Sequence, residues 1–260
     1  MRWLFWVTPP ADGASNMALD EALMRSAART GDAVFRLYSW SVPTLSLGRN
    51  QRARGCYDLT VSDSLGIGFV RRPTGGRALL HHHEVTYSVT MPLFDAQGSR
   101  PAYHFINSVL LGGLTLMGVP AELASQTKSL QPGLRPCFDV PAEHEIAVSG
   151  RKLVGSAQWR RGGALLQHGS ILVRDDQPLI ARLMTEPSEA IPAAATLADA
   201  LGFEPSLDQV AHVIQQSLKE ATGGGGGGQC TDPFVRDAEL EADLVELRHT
   251  YSAAEWTWRR

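Results

Sequence analysis

The chain has 260 residues, a formal net charge of −3 and a hydrophobic share of 43%. This length and composition predict a soluble globular protein with one large domain, or one domain with a small appendage, and the charge gives no broad attraction for nucleic acid or an anionic membrane. We therefore expect neither as a partner. The three cysteines fit neither complete disulfide pairing nor a zinc pattern, which favours a reducing, cytoplasmic location.

The predicted fold opens with a short apolar strand over residues 1–7, followed by a helix. Ser15 or Asn16 can cap this helix at its N-terminus, and Asp20 is placed near the positive end of the helix dipole. Gly31 can end the helix in the left-handed conformation.

Short strands and one helix then follow in irregular order. The predicted strands are 33–40, 44–49, 67–72, 81–92 and 165–173, with a hairpin at 144–158 and a helix at about 99–117. Polar and apolar residues alternate over 81–92, which predicts a strand with one solvated face. Because the order is irregular, we predict an α+β fold with a mixed or antiparallel sheet and helices against one face.

The last third of the chain is rich in alanine, leucine and glutamate at helical spacing. Ser206 and Gln209 predict a capping box at the start of one helix, and the six glycines at 223–228 predict a flexible linker before the final helix. We assign 1–175 to the main core and 176–260 to a helical C-terminal part of the same domain.

The segment RRPTGGR at 71–77 combines a glycine pair with arginines. Gly75 and Gly76 allow the main chain to approach a ligand closely, and the flanking Arg71, Arg72 and Arg77 can hold an anionic group such as phosphate, pyrophosphate or a pantetheine arm. An ordinary β-turn with surface arginines explains the same residues. The segment matches neither a Walker A loop nor a dinucleotide fingerprint.

Three consecutive histidines occupy positions 81–83. Only His81 and His83 would share a face of a strand, and no cysteine or acidic residue stands at ligand spacing with them in the sequence. We therefore expect no metal site. His81 is expected to line a pocket, while the other histidines face solvent.

The segment EIAVSGRKLV predicts a β-hairpin with Ser149 and Gly150 at its turn. In that register Ala147 lies opposite Lys152 and leaves space for the lysine side chain to reach a site. Lysine, unlike arginine, can act as a cation or, when burial lowers its pKa, as a base. Cys137, in PCFDVP, could then be a nucleophile whose thiolate Lys152 favours. An inert buried thiol and a solvated lysine are the alternative.

Two long segments resemble the biotin/lipoyl protein ligase superfamily: RRPTGGRALLHHHEVTYSV and GRKLVGSAQWRRGGALLQHGSIL. NMALDEAL and PTLSLGRNQ also match its pattern. The resemblance covers most of 1–175 and implies a biotin/lipoyl ligase-like catalytic domain there. The position of Cys137 and the closing YSAAEWTWRR favour the octanoyltransferase branch over the ATP-using ligases.

This branch moves an octanoyl group from acyl carrier protein to a lysine of a lipoyl domain through a cysteine thioester. The resemblance therefore implies that Cys137 is the nucleophile, that Lys152 is the catalytic lysine and that no cofactor is needed. It implies substrate binding by Arg72, Thr74, Gly75, Gly76, Arg77, His81, Gly155, Ser156, Ala157, His168 and Gly169. The arginines expected to steer the acidic partner proteins are Arg71, Arg72, Arg77, Arg160 and Arg161.

Three alternatives stay open at this point. The first is an ATP-dependent lipoate–protein ligase using ATP and magnesium, although Arg77 replaces the third loop glycine typical of those enzymes. The second is an amidotransferase that moves octanoyl from glycine-cleavage H protein to other lipoyl domains. The third is a non-catalytic protein that only binds such carrier domains.

Overall fold

The computed structural model describes residues 1–93, 100–124, 145–186, 192–223 and 237–260. Cys137, Cys230 and the glycine linker after residue 223 lie outside the described residues, so the predictions about them stay predictions. None of the helices that the structure describes is long and apolar enough to cross a membrane.

The strands and helices follow the predicted order closely. The strands are β1 (Trp3–Val7), β2 (Ala33–Tyr38), β3 (Thr44–Leu47), β4 (Gly68–Arg71), β5 (Leu79–His81), β6 (Glu84–Pro92), β7 (Glu122–Leu123), β8 (Ile146–Val148), β9 (Arg151–Lys152), β10 (Val154–Arg161) and β11 (Ala164–Leu172). The helices are α1 (Gly13–Thr30), α2 (Leu59–Ser64), α3 (Arg100–Leu116), α4 (Leu179–Leu183), α5 (Leu197–Leu201), α6 (Leu207–Ala221), α7 (Leu240–Ser252) and α8 (Ala254–Thr257).

A mixed five-stranded sheet in the order β1-β2-β6-β11-β10 forms the centre of the molecule. The β1–β2 pair is parallel and the other three pairs are antiparallel. Two three-stranded sheets, β4-β3-β5 and β7-β8-β9, flank it. This arrangement confirms the predicted fold class, a mixed sheet with helices around it.

Helices cover both faces of the large sheet, so the expectation of helices against one face is wrong. Helices α3 and α6 pack in the core formed with Phe35, Tyr87 and their neighbours. Helices α1 and α7 pack on the opposite face, around Leu4 and Val34. The central strands are therefore buried on both sides.

The predicted strand at 81–92 is two strands in different sheets, since β5 ends at His81 and β6 begins at Glu84. The predicted solvated face of this segment is wrong as well. Thr86, Ser88 and Thr90 alternate with the apolar residues of β6 as expected, but each is at most 2% exposed. Helix α1 lies over this polar face and excludes water from it.

The N-terminal cap of α1 differs from the prediction. Asp12 is the capping residue, because its carboxylate accepts a hydrogen bond from the backbone N–H of Ser15 at 2.8 Å. Asn16 instead donates its amide to the carbonyl of Ala11. Asp20 lies beyond the first turn and is fully buried, whereas Gly31 ends the helix with φ 73° as predicted.

The hairpin register is confirmed. Ala147 pairs with Lys152 across the β8–β9 turn, and Ser149 and Gly150 both have positive φ, as a tight type I′ hairpin requires. The capping box of α6 is also present. The division of the chain at residue 175 stays a prediction.

Candidate active site

A narrow cavity lies where α1, the central strands β2, β6, β10 and β11, and strand β5 meet. The empty space there amounts to about 350 Å³ when the part that is open to solvent is included. The predicted site residues that line it are Arg72, His81, Gly155, Ser156, Ala157, His168 and Gly169. Met17, Tyr38, Leu79 and Thr86 complete the lining. The structure thus brings most of the predicted binding residues around one space.

Backbone from neighbouring strands forms one wall of the cavity, and glycine makes this possible. A Cβ atom at Gly169 would lie 2.1 Å from the carbonyl oxygen of Gly155 on the paired strand and 2.8 Å from the ring of Tyr87. Any side chain at Gly169 would therefore push β10 and β11 apart and distort this wall.

Arg72 fastens the glycine loop. Its Nε and Nη2 donate to the carbonyl of Gly75 at 3.1 and 2.8 Å, and Nη2 also donates to the carbonyl of Arg77. Its Nη1 donates to the carbonyl and the hydroxyl of Ser46, both at 2.9 Å. These bonds engage all five N–H groups of the guanidinium. Anion binding by Arg72 stays a prediction, but its donors already hold the loop.

The glycine loop lies beside the cavity with Gly75 and Gly76 exposed. Gly76 has φ 93°, and a Cβ there would lie 2.7 Å from Nη2 of Arg72. The loop also packs backbone to backbone against the end of β3, since a Cβ at Gly48 would lie 2.0 Å from the Gly76 carbonyl oxygen. Glycine at positions 48 and 76 allows this close approach between two segments of the protein. The approach of the loop to a ligand stays a prediction.

A buried chain of three side chains runs from α1 to the glycine loop. The carboxylate of Asp20 lies 3.0 Å from Nδ1 of His168, and Nε2 of His168 lies 2.7 Å from the hydroxyl of Thr74. Arg36 and Tyr38 donate to the same carboxylate at 2.7 and 2.9 Å. This arrangement fixes the orientation of the His168 ring at the cavity wall.

The carboxylate and the imidazole of this chain have different charges near neutral pH. Burial alone would raise the pKa of Asp20, but the hydrogen bond with His168 and the charge of Arg36 outweigh it, and the pKa lies below its ordinary value. Burial lowers the pKa of His168 more than Asp20 raises it. Asp20 is therefore ionised and His168 neutral, with Nδ1–H facing the carboxylate and Nε2 accepting the Thr74 hydroxyl.

His81 is held in a similar way on the other side of the cavity. Its Nδ1 lies 2.6 Å from Glu84, and its Nε2 lies 2.7 Å from the hydroxyl of Ser46. Trp40 stacks over the His81 ring with centroids 4.0 Å apart. Because Ser46 also accepts from Arg72, one hydrogen-bonded path joins the loop arginine, His81 and the carboxylate of Glu84.

Lys152 does not line the cavity. Its ammonium donates to Glu145 at 2.8 Å, and its side chain is 3% exposed. The Glu145 and Lys152 charges act on Tyr103, whose pKa is raised chiefly by burial and which hydrogen-bonds to Asn107. A hydrogen-bonded path then continues through Asn107, Gln167, Tyr87 and Ser156 to the cavity wall. The charges of Lys152 and Glu145 thus act on the Tyr103 end of this path. The position of Lys152 relative to Cys137 lies outside the described residues.

Several functional side chains were missed in the sequence. Asp20 was assigned only to helix-dipole stabilisation, because nothing in a single sequence brings it to His168, 148 residues away. Glu145 could have been found, since it shares a strand face with Ala147 and is therefore diagonal to Lys152 in the predicted hairpin. Arg71, predicted to steer partners, is fully buried and donates to backbone carbonyls instead.

Comparison with known proteins identifies this architecture. The model of the lipoyl protein ligase A/B catalytic domain matches residues 12–219. The chain belongs to this family. Octanoyltransferases LipM of Moorella thermoacetica and Kyrpidia tusciae are 39% and 36% identical to it, each over 99% of this chain and 98% and 99% of their own length. As a lipoyl protein ligase A/B family member with such full-length relatives, the protein is an acyltransferase.

A solved structure supports the same fold. A T. acidophilum protein described as a lipoate protein ligase, with bound lipoic acid, superposes with a TM-score of 0.79 at 22% identity, over 99% of this chain and all of the other. The likeness confirms that the family's catalytic-domain fold extends over the described parts of the chain.

Proposed function

We propose that this acyltransferase carries an octanoyl group as a thioester on Cys137, taking it from acyl carrier protein and passing it to a lysine of a lipoyl domain. Octanoyl transfer in lipoate biosynthesis follows from the full-length similarity to octanoyltransferases. The observation that carries the rest is the Lys152–Glu145 ion pair, because it places a buried cation at the hairpin that follows Cys137 in the chain.

The cavity suits an unbranched acyl chain. Met17, Leu79 and Ala157 provide apolar contact, and the backbone at Gly155 and Gly169 keeps one wall flat. Each buried methylene contributes about 0.8 kcal/mol, so a chain that fits the cavity is favoured over one that leaves it partly empty or projects out of it.

Two transfers make up the proposed reaction. The Cys137 thiolate attacks the thioester carbonyl of the donor, a new carbon–sulfur bond forms, and the pantetheine thiolate leaves and takes up a proton. The acceptor lysine then attacks the enzyme thioester as a neutral amine, an amide forms, and the carbon–sulfur bond breaks to regenerate the Cys137 thiolate. The amine releases one proton to solvent in this step, which balances the proton taken up by the pantetheine thiolate in the first. No nucleotide is consumed, because the thioester already stores the required free energy.

Lys152 supports both steps electrostatically in this proposal. An ammonium group near Cys137 favours the thiolate over the thiol. Glu145 accepts a hydrogen bond from that ammonium at 2.8 Å and holds it in place. Arginine at this position would keep the charge but alter the geometry of the site.

The experiment is transfer to an apo lipoyl domain from purified octanoyl-acyl carrier protein with no ATP present. The proposal predicts that the lipoyl domain is modified by the wild-type enzyme and by Cys56→Ser. Cys56→Ser is a matched control because Cys56 is half-buried in a separate cluster. Cys137→Ser should lose the transfer.

Parallel reactions with other donors distinguish the alternative functions. Free octanoate with ATP and magnesium is the substrate mixture that a ligase would use, and octanoyl-H protein is the donor that an amidotransferase would use. Modification that needs ATP and survives Cys137→Ser would show that the protein is a ligase and that the thioester proposal is wrong. Efficient transfer from octanoyl-H protein with none from octanoyl-acyl carrier protein would overturn the proposed donor alone.

A further inference from the structure

Two of the three consecutive histidines, His82 and His83, do not line the cavity and lie close to an acidic residue from a distant part of the chain. His82 and His83 form the turn between β5 and β6, and Asp176 lies in the loop after β11. One ligand atom from each of the three side chains lies within 4.8 Å of the others. The residues that the structure describes contain no other such group of three. Sequence spacing could not show this, since 93 positions separate His83 from Asp176.

The two segments are held together independently of these side chains. The carbonyl of His83 accepts from the backbone N–H groups of Val173 and Arg174 at 2.9 and 3.1 Å. The buried amide of Gln177 exchanges hydrogen bonds with both backbone groups of Leu80, at 3.1 and 2.7 Å. The backbone positions of the three side chains are therefore fixed before any ligand arrives, which reduces the entropy cost of binding.

We propose that His82, His83 and Asp176 form a binding site for a divalent transition-metal ion of the zinc type. Two imidazole nitrogens and one carboxylate oxygen are ligands that zinc prefers, whereas magnesium and calcium favour oxygen alone. His82 is exposed, so water completes the coordination from the solvent side.

The side chains need only a small adjustment to bind. Nδ1 of His82 already lies 2.9 Å from the carboxylate of Asp176, and the His82 and His83 rings are 3.7 Å apart between centroids. Tetrahedral zinc ligands stand roughly 3.4 Å from each other, so a pair of ligand atoms at the 4.8 Å limit would close by about 1.4 Å. His82 is exposed and therefore free to rotate toward such a geometry.

A metal here would tie the β5–β6 turn to the loop after β11. That turn joins His81, which lines the cavity, to Glu84, its hydrogen-bond partner. Metal binding is therefore expected to raise the melting temperature of the protein, because the ion binds the folded state and not the separated segments.

The test is zinc binding by the tag-free, metal-stripped full chain in competition with a chromogenic chelator. One equivalent should bind, and His83→Gln and His82→Gln should each weaken it about tenfold or more. His249→Gln, a change at an exposed histidine of α7, is the matched control and should bind like the wild type. Equal zinc affinity in the wild type and both turn variants would overturn the proposal.

The visible spectrum of bound cobalt distinguishes this site from a site formed by cysteines. Cobalt bound by nitrogen and oxygen ligands lacks the intense thiolate charge-transfer band, so the proposal predicts a weak visible spectrum that His83→Gln abolishes. A strong thiolate band lost in a cysteine variant would place the metal elsewhere and contradict the proposal. Neither readout uses octanoyl transfer, so failure here is distinct from failure of the proposed reaction.

Discussion

The ammonium of Lys152 lies 2.8 Å from the carboxylate of Glu145, and both side chains are at most 7% exposed. A buried pair of this kind is costly to break from one side, because the remaining charge stays in a medium of low polarity. The pair is therefore a structural element of the hairpin as well as a component of the proposed reaction.

Glu145→Gln should lower the free energy of unfolding by about 3 kcal/mol, since it removes the carboxylate and leaves the Lys152 charge buried. The double variant Glu145→Gln/Lys152→Met should recover part of that loss, because it removes both charges. Chemical denaturation of the four proteins in the double-mutant cycle measures the coupling. Additive effects of the two changes would show that the pair does not interact.

Stability should fall as the pH drops below the ordinary histidine value of 6.5, because burial keeps the pKa of His168 lower in the folded state. Between the two values the unfolded chain binds more protons, so stability is complete above 6.5 and is lost as pH falls through the folded pKa. One proton gives a slope of up to about 1.4 kcal/mol per pH unit.

Unfolding free energies at a series of pH values, for wild type and His168→Gln, measure this contribution. The variant should show a shallower loss between neutral and mildly acidic pH. The pKa of His83 is also lowered, so the pH dependence of the unfolding free energy of His83→Gln provides a second comparison. An unchanged slope in His168→Gln would mean that His168 does not titrate as the geometry implies.

Gly169→Ala should destabilise the protein by several kcal/mol, because its Cβ would lie 2.1 Å from the Gly155 carbonyl oxygen across the β10–β11 pair. Gly68→Ala is a suitable strand control, since the atoms nearest to its Cβ lie 3.7 Å away or farther. Thermal unfolding of both variants checks the contrast. Equal melting temperatures would show that the strands separate at little cost.

Arg160 and Arg161 lie exposed at the β10–β11 turn, unlike the buried Arg71 and Arg72 that were also expected to steer partners. Reversing both exposed charges to glutamate should raise the KM for an acidic carrier protein about tenfold at low salt, with kcat little changed. The difference should shrink as salt screens the charges. The same KM in wild type and variant at low salt would remove this turn from the docking surface.

Local patterns predicted most of the strands and helices because turns, caps and periodicity are encoded in neighbouring residues. The β8–β9 register followed from Ser149–Gly150, and the α6 cap from Ser206 and Gln209. Burial on both faces of β6 could not be predicted, because it depends on α1 lying over Thr86, Ser88 and Thr90. In a single sequence such a strand resembles one with a solvated face.

The site residues also fall into those that could be predicted from the sequence and those that could not. Most of the residues that line the cavity were named from the resemblance to a family, whereas the groups that orient them come from distant parts of the chain. Asp20 reaches His168, and Asp176 reaches His82, only through the tertiary fold. The spacing of neighbouring residues in the sequence could not predict either contact.

The most direct measurement of the central claim is the intact mass of the enzyme after brief mixing with octanoyl-acyl carrier protein and no acceptor. We expect an added mass of one octanoyl group that hydroxylamine removes, that peptide mapping assigns to Cys137 and that persists in Cys56→Ser. Transfer to a lipoyl domain by Cys137→Ser at the wild-type rate, with no acyl-enzyme detected, would contradict it.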